Sequence, residues 1–304
     1  MAAQIRSLCR LAVAYSGRSP EELRAAALQF EPFVSPDHLA EMRGVADAAG
    51  VQYEDVLVLN CWYEMETRGF ACRQLVVVGG ASADGRLIHG RNLDWLDYGG
   101  RLRRNLVLLD CDLGERARLA LFVWPGMVGS LTGTSRSGIT VALNQLGVRR
   151  RLGEPIFLLM RRALEDATDT AGAVAVLEAA PVTAEAAIVV SGGRGGEAVC
   201  IEWFGGECRS YGPEEGILAA DNSPHAEGNG SPQTSTALWQ LARAQAGPLT
   251  PEGVQQILRH PRVLLSCNLY SCVFVPASGV AHVAVGRVPA ARGSYAEMTL
   301  FPNG

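Results

Sequence analysis

Hydrophobic positions along the chain change period several times, and those changes divide it into blocks. Through the first 70 residues the apolar positions recur at helical spacing. Ser35-Pro36 supplies an N-cap followed by proline at the first helical position, Leu39, Met42, Val45 and Ala46 repeat along one face, and Gly50 ends the run. A second short helix is expected from Tyr53 through Asn60 toward Met65. At Ala71-Cys72 the period changes, and from Leu75 the chain is rich in β-branched residues. A strand at 74–79, an Asp84-Gly85 turn and a strand at 86–91 read as a hairpin with a loop longer than two residues. Further strands are expected at 104–111, 117–123, 128–133 and 138–143. Helical periods return at 154–166 and 170–179, with Ile156, Leu159, Met160, Leu164 and Val174 apolar. Strands at 185–191 and 197–203 flank the turn Gly192-Gly193-Arg194-Gly195-Gly196. Helices at 233–245 and 251–259 follow, and strands at 269–276, 279–286 and 294–300 close the series.

Segregated blocks of strands and helices predict an α+β protein, with antiparallel sheets and helices packed outside them, rather than an alternating parallel fold. A four-layer αββα sandwich preceded by a helical lead fits this order. No internal repeat or low-complexity linker divides 72–304.

Composition narrows the function. The 304 residues are 48% hydrophobic and 19% charged, enough to bury a large core, and the formal net charge of −4 offers no basic excess for a phosphate backbone. No run approaches the roughly 18 apolar residues of a membrane span. Neither nucleic acid nor membrane is an expected partner. The apolar stretch Leu11 to Tyr15 is shorter than a signal peptide's hydrophobic region, so a cytoplasmic location is expected. The eight cysteines are scattered without metal spacing in a chain too large to need disulfide staples, and most read as buried thiols.

Several motifs lead nowhere. Gly192 to Gly196 lacks the Lys-Ser/Thr of a phosphate-binding loop and reads as a tight turn. Gly133 to Gly138 approaches a serine nucleophile elbow, yet no glycine stands two residues after either serine. The five histidines, at 38, 89, 225, 260 and 282, form no i,i+4 pair, so no zinc helix is expected, and no cofactor is called for. What remains is Cys72 together with His89-Gly90-Arg91-Asn92-Leu93-Asp94-Trp95, polar residues that end an apolar strand. A thiol of ordinary pKa about 8.5 needs a base and a positive neighbour, and Arg91 can supply the charge. No histidine stands at a telling spacing. A chain cut just before the cysteine would provide a base instead, because the freed α-amine has a pKa of about 7.7–8.0. Residues 1–71 would then be a propeptide.

At these residues the sequence resembles the cysteine-type N-terminal-nucleophile (Ntn) hydrolases, in particular the autoproteolytic isopenicillin N acyltransferase-like branch, with acid ceramidase, N-acylethanolamine acid amidase and the choloylglycine/penicillin V hydrolases as cousins. The likeness runs from Glu41–Val51 and Asp55–Asn60, through Cys72 and the characteristic Asp84–Trp95, to Leu131-Thr132-Gly133, Gly138-Ile139, Leu143-Asn144-Gln145 and Asp221-Asn222-Ser223-Pro224. The resemblance implies that Cys72 cuts the chain after Ala71 and then serves as catalytic nucleophile through a thioester. It further implies that Asp94 holds the liberated α-amine and that Arg91 steadies the thiolate. The Asn222 side-chain amide and the Gln145 backbone N–H would form the oxyanion hole, with Asn144 fixing that turn. Residues 1–71 would become an α chain and 72–304 a catalytic β chain, paired as a heterodimer, with homo-oligomers left open. The substrate implied is a small-molecule amide or acyl donor.

Two departures stand out. The family places Thr or Ser after the nucleophile, where this chain has Arg73 and Gln74, and Asp221 adds negative charge beside Asn222. Three readings follow: a hydrolase or acyltransferase of linear amides, a non-catalytic relative used for binding or scaffolding, and an ordinary cysteine peptidase with His89 as base. Trp62, Phe70, Trp95, Trp124 and Trp203 are the candidates for an acyl pocket.

Overall fold

A computed structural model of the chain describes residues 1–65, 71–193, 195–224 and 236–302. Helical periodicity in the N-terminal block becomes α1 (Ala2–Ser16), α2 (Pro20–Leu28), α3 (Pro36–Ala49), α4 (Tyr53–Asn60) and α5 (Trp62–Met65). Both ends of α3 fall where the caps place them. The Ser35 hydroxyl accepts from the His38 N–H at 3.2 Å, and Gly50 closes the helix in the left-handed region at φ 60°.

The strands are β1 (Ala71–Val77), β2 (Ile88–Asp94), β3 (Val107–Asp112), β4 (Arg118–Val123), β5 (Thr132–Ser135), β6 (Ile139–Arg150), β7 (Ala184–Gly192), β8 (Glu197–Phe204), β9 (Glu207–Tyr211), β10 (Ile217–Ala220), β11 (Asn268–Val275), β12 (Val280–Ala284) and β13 (Ala296–Thr299). They form two antiparallel sheets, one of six strands in the order β10-β1-β2-β11-β12-β13 and one of seven running β3 to β9 in sequence. Helices α6 (Ile156–Asp166) and α7 (Thr170–Ala179) cover the seven-stranded sheet, while α8 (Ala237–Arg243) and α9 (Pro251–Leu258) cover the other. The expected αββα sandwich is what forms. Leu75, Val77, Leu238, Val254, Leu258 and Val273 make the outer core beneath α8 and α9.

Strand β1 explains how the sheets meet. Its residues alternate faces, so Leu75 and Val77 face α8 and α9 whereas Cys72, Gln74 and Val76 face the opposite sheet. Gln74 Nε2 crosses that interface to donate to the Ala142 carbonyl at 3.1 Å and to Asn144 Oδ1 at 2.9 Å, both on β6.

The helical lead shares the central apolar core with the sandwich, since Ile5, Leu8, Met42, Leu57 and Leu59 join Leu121, Leu143 and Phe157 in one cluster. Polar contacts add orientation. Asn60 Nδ2 donates to the Gly126 carbonyl at 3.0 Å, and its Oδ1 accepts the Val128 and Gly129 N–H groups at 2.8 and 3.0 Å. Gly129 permits a close approach, because a Cβ there would sit 2.6 Å from the Phe157 backbone carbonyl carbon. Glu64 Oε1 accepts from the Ile156 N–H at 2.7 Å, giving α6 a cap that its own N-terminal proline cannot provide.

The structure departs from the sequence expectations at several strands, and the one expected at 128–133 forms instead as β5 at Thr132–Ser135. β9 and β10 were not expected: one is short and mostly polar, the other a four-residue apolar run without periodicity. β6 continues to Arg150 instead of ending at 143, with a shift in pairing between Gln145 and Arg150. Asn144 and Gln145 therefore lie within a strand and not in a turn. Phe70, Arg194, His225 and the first residues of the helix expected at 233–245 lie outside the described residues.

Candidate active site

Strand register brings the site together. Across β1 and β2, Ala71 pairs with Asp94, Cys72 with Leu93, Arg73 with Asn92 and Gln74 with Arg91. Directly opposed residues of an antiparallel pair share a face. His89 and Arg91 thus lie on the inner face with Cys72 and Gln74, and Asp94 lies on the other face with Ala71 and Arg73. Strand β11 sets Asn268 beside Asp94 and Cys272 beside Arg91.

Arg91 is fully buried and reaches in two directions. Its Nη2 donates to Cys72 Sγ at 3.3 Å and its Nη1 to the Leu143 carbonyl at 2.7 Å, so the guanidinium bridges both sheets at the sulfur. Burial pushes the Cys72 thiol up to about 11; Arg91 opposes that rise and Asp94 adds to it. In the continuous chain the sulfur is therefore a neutral thiol held beside a cation.

Asp94 is equally buried. Burial raises its carboxyl to about 6, with Asn268, Arg73 and Arg91 pulling the other way. Neither carboxylate oxygen has a hydrogen-bond partner at proper geometry among the described residues. A buried carboxyl group without a partner is costly, and this one stands opposite the residue that precedes Cys72.

Asn222 meets the other side of the cysteine. Its Oδ1 accepts from the Cys72 N–H at 2.7 Å and from Arg73 Nη1 at 3.0 Å, while its Nδ2 donates to the Gln145 carbonyl at 2.6 Å. The amide orientation is fixed by chemistry, since the reverse would set NH₂ against two donors. The structure thus brings Asn222 and Gln145 together, through the Gln145 carbonyl. Asn144 tethers the same loop from its strand, donating from Nδ2 to the Asp221 carbonyl at 3.0 Å. Asp221 is turned aside, its Oδ1 accepting the Ser223 N–H at 2.8 Å in an exposed turn.

Gln74, marked in the sequence only as a departure after the nucleophile, has a role that sequence reasoning passed over. Besides its two bonds to β6, its Oε1 faces His89 Nε2 at 2.9 Å, and His89 Nδ1 lies 2.7 Å from the Ser191 hydroxyl. The signal was a lone glutamine on the apolar face of a buried strand. Because Gln74 Oε1 can only accept, His89 carries its proton on Nε2 and accepts from Ser191. Burial, then the Arg91 charge, lower its pKa to about 3. A neutral imidazole with both nitrogens engaged cannot serve Cys72, so the peptidase reading lacks its base.

Of the aromatic candidates, Trp62, Trp95 and Trp124 meet edge to face, with ring centroids 5.8 Å apart in both pairs. With Leu8, Leu59, Leu102, Met127 and Phe157 they line a small apolar cavity with room for about one water molecule. Trp203 lies elsewhere, in a groove with Arg149, Arg151 and Phe204. Among the described residues there is no cluster of three His, Cys, Asp or Glu able to hold a metal, and no helix long and apolar enough to cross a membrane.

No protein-family model matches the chain. Acid ceramidase of Rattus norvegicus is 26% identical over 186 residues, covering 53% of this chain and 46% of that protein. The N-acylethanolamine-hydrolyzing acid amidase of Oryctolagus cuniculus is 29% identical over 195 residues, or 59% and 51%. The chain spans about half the length of these curated relatives. Among solved structures, a Caenorhabditis elegans ortholog of N-acylethanolamine-hydrolyzing acid amidase superposes with a TM-score of 0.54 at 20% identity, over 67% of this chain and 93% of that one. A mutant conjugated bile acid hydrolase from Clostridium perfringens gives 0.51 at 10% identity, over 77% and 93%. These proteins are Ntn hydrolases, so the resemblance read from the motifs holds, and the α+β sandwich is the Ntn-hydrolase fold.

Proposed function

We propose that this chain is an amidohydrolase or acyltransferase that activates itself by cutting between Ala71 and Cys72. The observation that carries the reading is Asp94: a buried carboxyl group without a hydrogen bond of proper geometry, across the ladder from Ala71 and one residue from the Cys72 nitrogen, which cleavage would turn into an ammonium. A charge of that sign at that point would satisfy the carboxylate.

In the first step the Cys72 sulfur attacks the Ala71 carbonyl carbon, the thiol proton passes to the Cys72 nitrogen, and the C–N bond breaks. A thioester and a free α-amine result, and water opens the thioester to leave the Ala71 carboxylate and the thiol. The N-terminal block becomes an α chain and 72–304 the catalytic β chain. In turnover the α-amine, held by Asp94, takes the thiol proton, and Arg91 steadies the thiolate. The sulfur then attacks the substrate carbonyl, and the amine leaves with that proton. Water or a second amine releases the acyl group. For the oxyanion, the resemblance offers the Asn222 side-chain amide and the Gln145 N–H. One such donor is worth about 10²–10³ in rate.

The relatives include amidases named for N-acylethanolamines. We take linear N-acyl amides as the substrate class. The competing reading, a non-catalytic relative, draws on Asn222, whose oxygen and nitrogen are both engaged in the continuous chain. A thiol-reactive acyl probe separates the two: an active site labels Cys72 far faster than the other seven cysteines, and equal slow labelling favours the binding protein.

A further inference from the structure

Arg73 is a charged residue beside Cys72 that the proposed chemistry leaves without a task. It is half-buried, and its Nη1 donates to two neutral oxygens, the Cys72 carbonyl at 2.7 Å and Asn222 Oδ1 at 3.0 Å. Its Nε and Nη2 make no hydrogen bond, and it forms no ion pair, with any described residue. The Nε–Nη2 edge of a guanidinium is a planar fork that matches a carboxylate bidentately. Asp94, on the same face of β1 and β2, is not paired with it and is committed to the α-amine in the proposed chemistry.

Position also gives direction. The Cys72 nitrogen and Arg73 Nη1 share one acceptor, Asn222 Oδ1, at 2.7 and 3.0 Å. In the proposed turnover the departing amine takes its proton from that nitrogen, so the amine portion of a substrate lies on the Arg73 side of the scissile bond. Resting on the amidase reading, we propose that Arg73 is a specificity residue whose free edge binds a carboxylate on the amine portion, so that N-acyl amino acids are preferred over neutral N-acyl amides.

The test compares N-decanoylglycine with N-decanoylethanolamine, which share the acyl chain and differ in carboxylate against hydroxyl. The wild type should favour the glycine conjugate by at least about tenfold in kcat/KM, mainly through KM, as expected for one charge-assisted contact. Arg73→Gln should bring that ratio to near one, and Arg73→Lys should restore part of it. An unchanged ratio in Arg73→Gln, or none in the wild type, overturns the proposal. A second arm needs no turnover: alkylation of Cys72 by iodoacetate and by iodoacetamide, each normalised to free cysteine. The anionic reagent should gain over the neutral one in the wild type and lose that gain in Arg73→Gln. Equal gains in both proteins, or a Cys72 that neither reagent reaches, contradict it. Absence of amide turnover with the alkylation difference intact would sink the amidase reading and leave the anion subsite standing.

Discussion

Asp94 and Ala71 face each other across β1 and β2 of the six-stranded sheet, and neither oxygen of the Asp94 carboxyl group has a hydrogen bond of proper geometry among the described residues. A protein that stayed uncut would gain nothing from a buried acid there. One that cuts itself converts the neighbouring amide nitrogen into an amine that the acid can hold.

The first prediction concerns stability against pH in the uncleavable Cys72→Ala chain. Asp94 has a folded pKa of about 6, above the unfolded value of about 3.9. The folded chain therefore binds the proton more tightly than the unfolded one. Its contribution is intact below about pH 4 and is lost as pH rises toward 6, by on the order of 3 kcal/mol. Adding Asp94→Asn should raise the melting temperature at pH 7 and flatten the profile between pH 4 and 6. A lower melting temperature at pH 7 would contradict the account.

Arg91 supplies both a charge and a fixed fork, joining Cys72 Sγ to the Leu143 carbonyl. Arg91→Lys keeps the charge and loses the fork. Self-cleavage followed by gel densitometry should slow by more than about tenfold, the equivalent of 1.4 kcal/mol in the barrier. A wild-type rate would remove Arg91 from the mechanism.

Gln74 joins β1, β6 and His89 in one buried polar network. Gln74→Leu keeps approximate volume and strands the polar atoms of Asn144 and His89, at a cost of about 2–4 kcal/mol in chemical denaturation. Pairing it with His89→Leu should recover part of that loss, because one stranded group disappears. Strict additivity of the two changes would show that the network does not act as a unit.

Glu64 tests whether the N-terminal block is a lasting part of the protein. It caps α6 through the Ile156 N–H and also accepts from the Thr183 hydroxyl at 2.8 Å. Glu64→Ala should destabilise the chain by about 1–3 kcal/mol and loosen the association of the two fragments, read by size-exclusion after cleavage. Fragments that separate fully in the wild type would contradict the shared core.

Much of this site was legible because it follows from strand chemistry. Polar Arg91 and Asp94 at the end of an apolar strand announced a site, and Cys72 began its partner. The cap pair Ser35 and Gly50 fixed α3 at both ends. What sequence could not give was pairing between distant segments. Asn222 reaches Cys72 through a loop 150 residues away, and it does so with its oxygen, a donor–acceptor choice set only by what surrounds it. The placement of Asn144 in a turn failed because β6 keeps its pairing to Gln145, where a short polar stretch reads locally as a break. The role of Gln74 escaped notice because its partners come from one strand of the other sheet and from a histidine fifteen residues on. The roles of Arg73 and Asp221 depended on where their side chains turn.

The most direct test of the central claim is the intact mass of the purified full-length chain after incubation. The account predicts two species parting between Ala71 and Cys72, the larger beginning with a free Cys72 amine, and a single uncut species for Cys72→Ala. A wild-type chain that remains whole while hydrolysing amides at full rate would contradict it.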